Sequence, residues 1–125
     1  MRVIHAASLK CQRDEFRERL QQQGHSVLSV AGGQDIVDEL EARQPGTFHA
    51  IVTCNKVNQL EGTDLLHFLA AWPHFQRARV PVFVVSEDEG IRPIVEELGG
   101  VFVLKSDTGS IFSRLALMDA AASTA

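Results

Sequence analysis

Five short apolar runs rich in β-branched residues, each separated from the next by enough chain for a helix, constrain this sequence more than any other feature. They occupy residues 3–7, 27–31, 50–54, 80–86 and 101–104. The clearest is Ala50-Ile51-Val52-Thr53-Cys54, which stops at the polar stretch Asn55-Lys56-Val57-Asn58-Gln59 before Gly62. It reads as a buried strand whose C-terminal end opens into a loop. Five such strands alternating with helical stretches indicate an α/β chain: a five-stranded parallel sheet with helices on both faces.

The intervening stretches support that reading. Residues 9–23 carry Phe16 and Leu20 four apart with charged residues between them, and end at Gly24, which suits a helix C-terminus. Residues 35–42 set Ile36, Val37 and Leu40 on one face. Residues 63–72 start with Thr63 as the expected cap, bury Leu65, Leu66 and Leu69, and must end near Pro73 because proline cannot continue the ladder. Residues 110–122 place Ile111, Leu115 and Met118 on one stripe, with Thr108 as the expected cap. The fourth helix is the odd one. Pro93 is tolerated in a first turn, so this helix should start near Arg92, be over by Leu98, and be short and locally remodelled.

Composition narrows the functional classes. The chain has 125 residues, 45% of them hydrophobic, enough for one domain to bury a core without staples. A formal charge of −4 and the absence of a basic stripe argue against nucleic-acid binding by this domain. Two cysteines, Cys11 and Cys54, form no disulfide or metal-spaced pattern. No stretch is long and apolar enough to span a membrane, and Met1 leads directly into a strand, so the expected location is cytoplasmic. The expected division is a domain over residues 1–119 and a small, polar segment over 120–125 that is a tail or the start of a linker.

Candidate chemistry is sparse. Cys11 and Arg17 have the spacing of a phosphatase loop, but Asp14 and Glu15 lie between them, no glycine is present, and the segment reads as helix. The five histidines do not assemble into a ligand set. His5 reads as a hydrogen-bonded core residue, His25 and His49 sit at strand starts, and His67 and His74 lie on or after the third helix. Glu87-Asp88-Glu89 is either a solvated loop or an acidic docking patch.

Taken in order, several pieces of the chain resemble the receiver domain of the two-component response regulators, a flavodoxin-like fold. They are residues 2–8, 24–40, 49–66 with Gly62 eight residues after Cys54, 81–86, and Leu98-Gly99-Gly100-Val101-Phe102-Val103-Leu104-Lys105. The resemblance implies a signalling module rather than an enzyme, and what it implies at the site is mostly loss. The two acidic positions that hold magnesium in the family are Ala7 and Ser8 here, and the phosphate-accepting aspartate corresponds to Cys54. Neither alanine nor serine replaces a carboxylate for a hard cation. Ser86 and Lys105 match retained family positions. Ser106 replaces the usual proline after the lysine, and Glu87 stands where a small residue admits the phosphoryl group. Phe102 matches the aromatic that changes rotamer in family switches, a core role being the other reading.

The resemblance therefore implies a degenerate, non-phosphorylatable pseudo-receiver with no cofactor, acting in a bacterial two-component-type pathway. Its expected contacts, with a protein partner or a second copy, lie on the face made by the fourth helix, fifth strand and fifth helix, including Arg92, Ile94, Glu97, Phe102, Ile111 and Arg114. The alternative is a thiol-based redox sensor. Cys54 beside Lys105 would be a low-pKa thiolate in that case, and a buried, inert small hydrophobe otherwise.

Overall fold

The computed structural model describes residues 1–44, 47–56, 60–73, 75 and 80–124, with side chains described as far as Ala120. Loop positions 57–59, His74 and Ala125 therefore lie outside the described residues. Five strands, β1 (Arg2–Ala6), β2 (Ser26–Val30), β3 (Ala50–Cys54), β4 (Val82–Ser86) and β5 (Val101–Leu104), pair in parallel in the order β2-β1-β3-β4-β5. Between them run α1 (Lys10–Gln22), α2 (Gly33–Ala42), α3 (Gly62–Ala70), α4 (Arg92–Glu97) and α5 (Gly109–Thr124), with single 3₁₀ turns at Glu89–Ile91 and Lys105–Asp107. All five expected strands form, and β3 and β5 have the expected boundaries.

Because side chains alternate across each strand, the sheet separates two cores. Ile4, Ala6, Ile51, Val82, Val84 and Phe102 face α2, α3 and α4, and pack with Ile36, Leu65, Leu66, Leu69 and Val95. Val3, Ala50, Val52, Phe83, Val85 and Val103 face α1 and α5, and pack with Leu20, Ile111, Phe112 and Leu115. Cys54, at the rim of the sheet, packs against both. The parallel register aligns His5 with Ser29 on one side and Val52 on the other, which puts a polar pair on the α1 face.

Two helices end in the same way. After α1, Gly24 adopts a left-handed φ of +88°, its N–H donates to Gln21 O at 3.0 Å, and the His25 N–H donates to Leu20 O at 3.1 Å. After α4, Gly99 and Gly100 repeat this Schellman pattern on Glu96 and Val95. The six-residue α4, with Pro93 in its first turn, is thus stopped by sequence at both ends.

The helix starts differ from expectation. Thr63 does not cap α3: the helix begins at Gly62, and the Thr63 N–H donates to Asn55 Oδ1 at 3.3 Å. Gly62 is required there, since a Cβ would lie 2.8 Å from Val84 Cγ1 and 3.2 Å from Asn55 Cα. Thr108 does not cap α5, because its backbone is already helical (φ −63°, ψ −19°). The α5 helix runs on to Thr124, past residue 119.

Candidate functional site at the strand ends

The chain leaves β2 at the sheet edge and crosses β1 to reach β3, so the C-terminal ends of β1 and β3 open a crevice at the switch point. The structure brings all six pocket residues together there. Ala7 and Ser8 follow β1, Cys54 ends β3, Ser86 ends β4 with Glu87 after it, and Lys105 follows β5. All border one cleft of about 510 Å³, which extends along the α1 face past His5, Phe16, Val52 and Val85.

The polar groups of Ser86 and Lys105 are engaged within the domain. Lys105 Nζ pairs with Glu87 Oε1 at 3.2 Å. Ser86 Oγ accepts from the Asp88 N–H at 3.0 Å, while Asp88 Oδ1 accepts from the Gly90 N–H at 2.8 Å. Glu89 pairs with Arg92 at 3.1 Å. The acidic run 87–89 is thus committed to local contacts, on an exposed loop.

The site does not suit a divalent cation. Ala7 is buried and apolar, Ser8 offers only a hydroxyl, and Cys54 offers sulfur where magnesium requires oxygen and negative charge. Among the described residues, no three His, Cys, Asp or Glu side chains gather closely enough to hold a metal. A cation of another kind holds the loop after β1. Arg13 Nη1 donates to Ala7 O at 2.7 Å and to Ser8 O at 3.0 Å.

Cys54 is half-buried, and burial pushes its thiol above the usual range, with Lys105 offsetting this only in part. The protein therefore holds it as a thiol at neutral pH. Cys11 is exposed on α1, and Arg17 pairs with Asp14 at 3.1 Å, so no phosphatase loop exists.

His5 departs most from expectation. It is 3% exposed and stacks on Phe16 with ring centroids 4.2 Å apart, yet among the described residues its Nδ1 has no hydrogen-bond partner. Burial first, and the nearby Arg13 cation second, lower its pKa to about 4, so the ring is neutral at physiological pH. His25 and His49 lie at the opposite end of the sheet. There His49 Nδ1 accepts from the Arg2 N–H at 2.9 Å, and His25 Nδ1 lies 3.2 Å from the terminal ammonium.

Three contributors were not expected from the sequence. Arg13 carried no signal beyond its charge. Asn55 looked like one more loop residue, yet it is buried, and besides its Oδ1 contact its O accepts from the Gly62 N–H at 3.0 Å. His5 did carry a signal, as the only polar residue in the run Val3-Ile4-His5-Ala6-Ala7.

On the α4–β5–α5 face, Ile94 is 45% exposed, and Glu97 and Arg114 face solvent. Arg92 lies over the Phe102 ring at 4.5 Å. Phe102 itself is buried in the core. Ile111 is wholly buried, so its expected place in an interface is corrected: it anchors α5 to the sheet.

No protein-family model matches the chain, and no curated protein matches it in sequence. Solved structures do. A response regulator receiver protein from Pseudomonas putida superposes with a TM-score of 0.79 at 21% identity, covering 92% of this chain and 94% of its own. The receiver domain of the Francisella response regulator 1452 gives 0.77 at 16%, covering 93% of each chain. The receiver domain of a Pseudomonas aeruginosa sensor histidine kinase, solved with magnesium in its active-site cleft, gives 0.75 at 18%, covering 91% and 92%. The chain therefore has the receiver fold, a five-stranded parallel sheet between two helical layers.

Proposed function

We propose that this domain is a pseudo-receiver: a protein-interaction module of a bacterial two-component-type pathway that does not accept a phosphoryl group. The observation that carries the reading is the composition of the strand-end cleft. Cys54 stands at the position of the phosphate acceptor, Ala7 and Ser8 provide no carboxylate beside it, and the lysine that would steady a phosphoryl group is paired with Glu87. A thiol with neither metal nor free cation beside it lacks what aspartyl phosphorylation requires.

The output surface in this reading is the α4–β5–α5 face, where Ile94, Arg92, Glu97 and Arg114 are available to a partner or a second copy. Support for a thiol sensor is weaker, because burial holds Cys54 protonated and Glu87 takes up the adjacent lysine.

Intact mass after incubation with acetyl phosphate and magnesium tests the proposal. No adduct is expected on the wild type, while an Ala7→Asp, Ser8→Asp, Cys54→Asp variant should gain one. An acid-stable or hydroxylamine-sensitive phosphoryl adduct on the wild type would refute the reading. Charge reversal at Arg92, Glu97 and Arg114 should abolish capture of the partner or self-association, and unchanged assembly would remove this face from the account.

A further inference from the structure

The cleft continues beyond the strand-end residues into the α1–α5 side of the sheet, where its wall changes character. At the mouth stand Ser8, Ser86, Lys56 and Lys105. Deeper, the lining is Phe16, Val52 and Val85, and the one polar side chain among them is His5. A volume of about 510 Å³ lies in the range of sites for small organic molecules.

His5 is the second, independent observation. A buried polar atom without a partner is destabilising, and apolar residues are the ordinary occupants of such a strand position. Its register neighbour Ser29 also has a buried Oγ without a partner among the described residues, so two unsatisfied polar groups lie side by side on this face. A neutral imidazole has one donor and one acceptor nitrogen. With Nδ1 as the unprotonated nitrogen, what this edge of the ring lacks is a donor. A half-turn about Cβ–Cγ exchanges the two ring edges without a change in volume, which is the adjustment a ligand has to induce.

We infer that the cleft is a binding site for a small, uncharged, largely apolar molecule bearing one hydroxyl or N–H donor, with its ring or chain against Phe16, Val52 and Val85 and its donor on His5. The mouth supports the absence of net charge on the ligand. Its basic groups, Arg19, Lys56 and Lys105, are matched by Glu15, Glu87 and Asp88 on the same rim. The site stands apart from the pseudo-receiver reading, since it depends on the α1 face of the sheet and not on phosphorylation.

The test uses phenol and indole as probes and benzoate as an anionic control, at millimolar concentrations, in NMR spectra of the whole chain with no phosphodonor present. Phenol and indole should shift the Ala7, Val52, Cys54 and Val85 signals and the His5 ring signals in a saturable way, with benzoate weaker. A His5→Phe variant, which keeps the stack on Phe16, should weaken phenol binding about tenfold. A Val85→Phe variant, which retains His5 but fills the cleft, should abolish it. Absence of saturable shifts at these residues would overturn the inference. So would unchanged binding to either variant, or benzoate binding as tightly as phenol.

Discussion

The two faces of the sheet are built from the same strands but are finished differently. Toward α2, α3 and α4, the inward side chains are apolar apart from Thr53, whose hydroxyl donates to the Cys54 carbonyl at 3.1 Å, and Ile4, Ile36, Ile51, Leu65 and Val84 have no exposure at all. Toward α1 and α5, the matching layer contains His5 with a nitrogen that none of the described residues satisfies, and a cleft running from the strand ends to Phe16. The first layer has the character of a scaffold and the second that of a site. Natural cores rarely retain an unpaired polar atom without a reason, because an apolar residue of similar shape would be more stable. The contrast therefore locates the part of the molecule where stability has been conceded.

Large-to-small substitution is the strongest way to break the contrast. Leu65→Ala in the filled layer should cost about 2–5 kcal/mol in urea unfolding. Val85→Ala, whose side chain borders open space, should cost only about 1.5 kcal/mol, close to the transfer energy of the groups removed. Equal losses would mean that the α1 face is packed as tightly as the other.

Acid unfolding sharpens the comparison next. His5 has its folded pKa lowered from 6.5 to about 4, so its contribution is complete above pH 6.5 and is lost as pH falls through about 4. The unfolded chain takes up the proton first, which favours unfolding by up to about 3 kcal/mol below that range. His5→Phe should remove this part of the acid sensitivity and stabilise the fold at every pH. A variant whose pH profile parallels the wild type would show that His5 is not held neutral.

Smaller effects are expected at the strand ends. Gly62→Ala forces a Cβ against Val84 and Asn55 and should cost about 1–3 kcal/mol, read as a lower thermal midpoint. Glu87→Gln breaks an ion pair whose side chains are 77% and 55% exposed, for Glu87 and Lys105 respectively, and should change stability by less than about 1 kcal/mol. A larger loss in salt-free buffer would mean that the pair organises the loop rather than decorating it.

Sequence alone determined the order and kind of the elements. Continuous β-branched runs such as residues 50–54 must be buried on both faces. Gly24 and Pro93 punctuate helices for reasons of backbone geometry that hold in any context, and the buried stripe of α5 follows from its period. The resemblance to receiver domains, read residue by residue, showed that no carboxylate stands at Ala7, Ser8 or Cys54, which is the ground of the pseudo-receiver proposal. Tertiary structure decided what depends on partners distant in sequence. Arg13 reaches back to the carbonyls after β1, and Asn55 rather than Thr63 receives the start of α3. Lys105 meets Glu87 instead of activating Cys54. Local rules describe how a chain bends and which stripe it hides, but a hydrogen bond or a cavity exists only between segments, so the unsatisfied His5 and the cleft beside it could appear only once the strands were in register and α1 had closed over them.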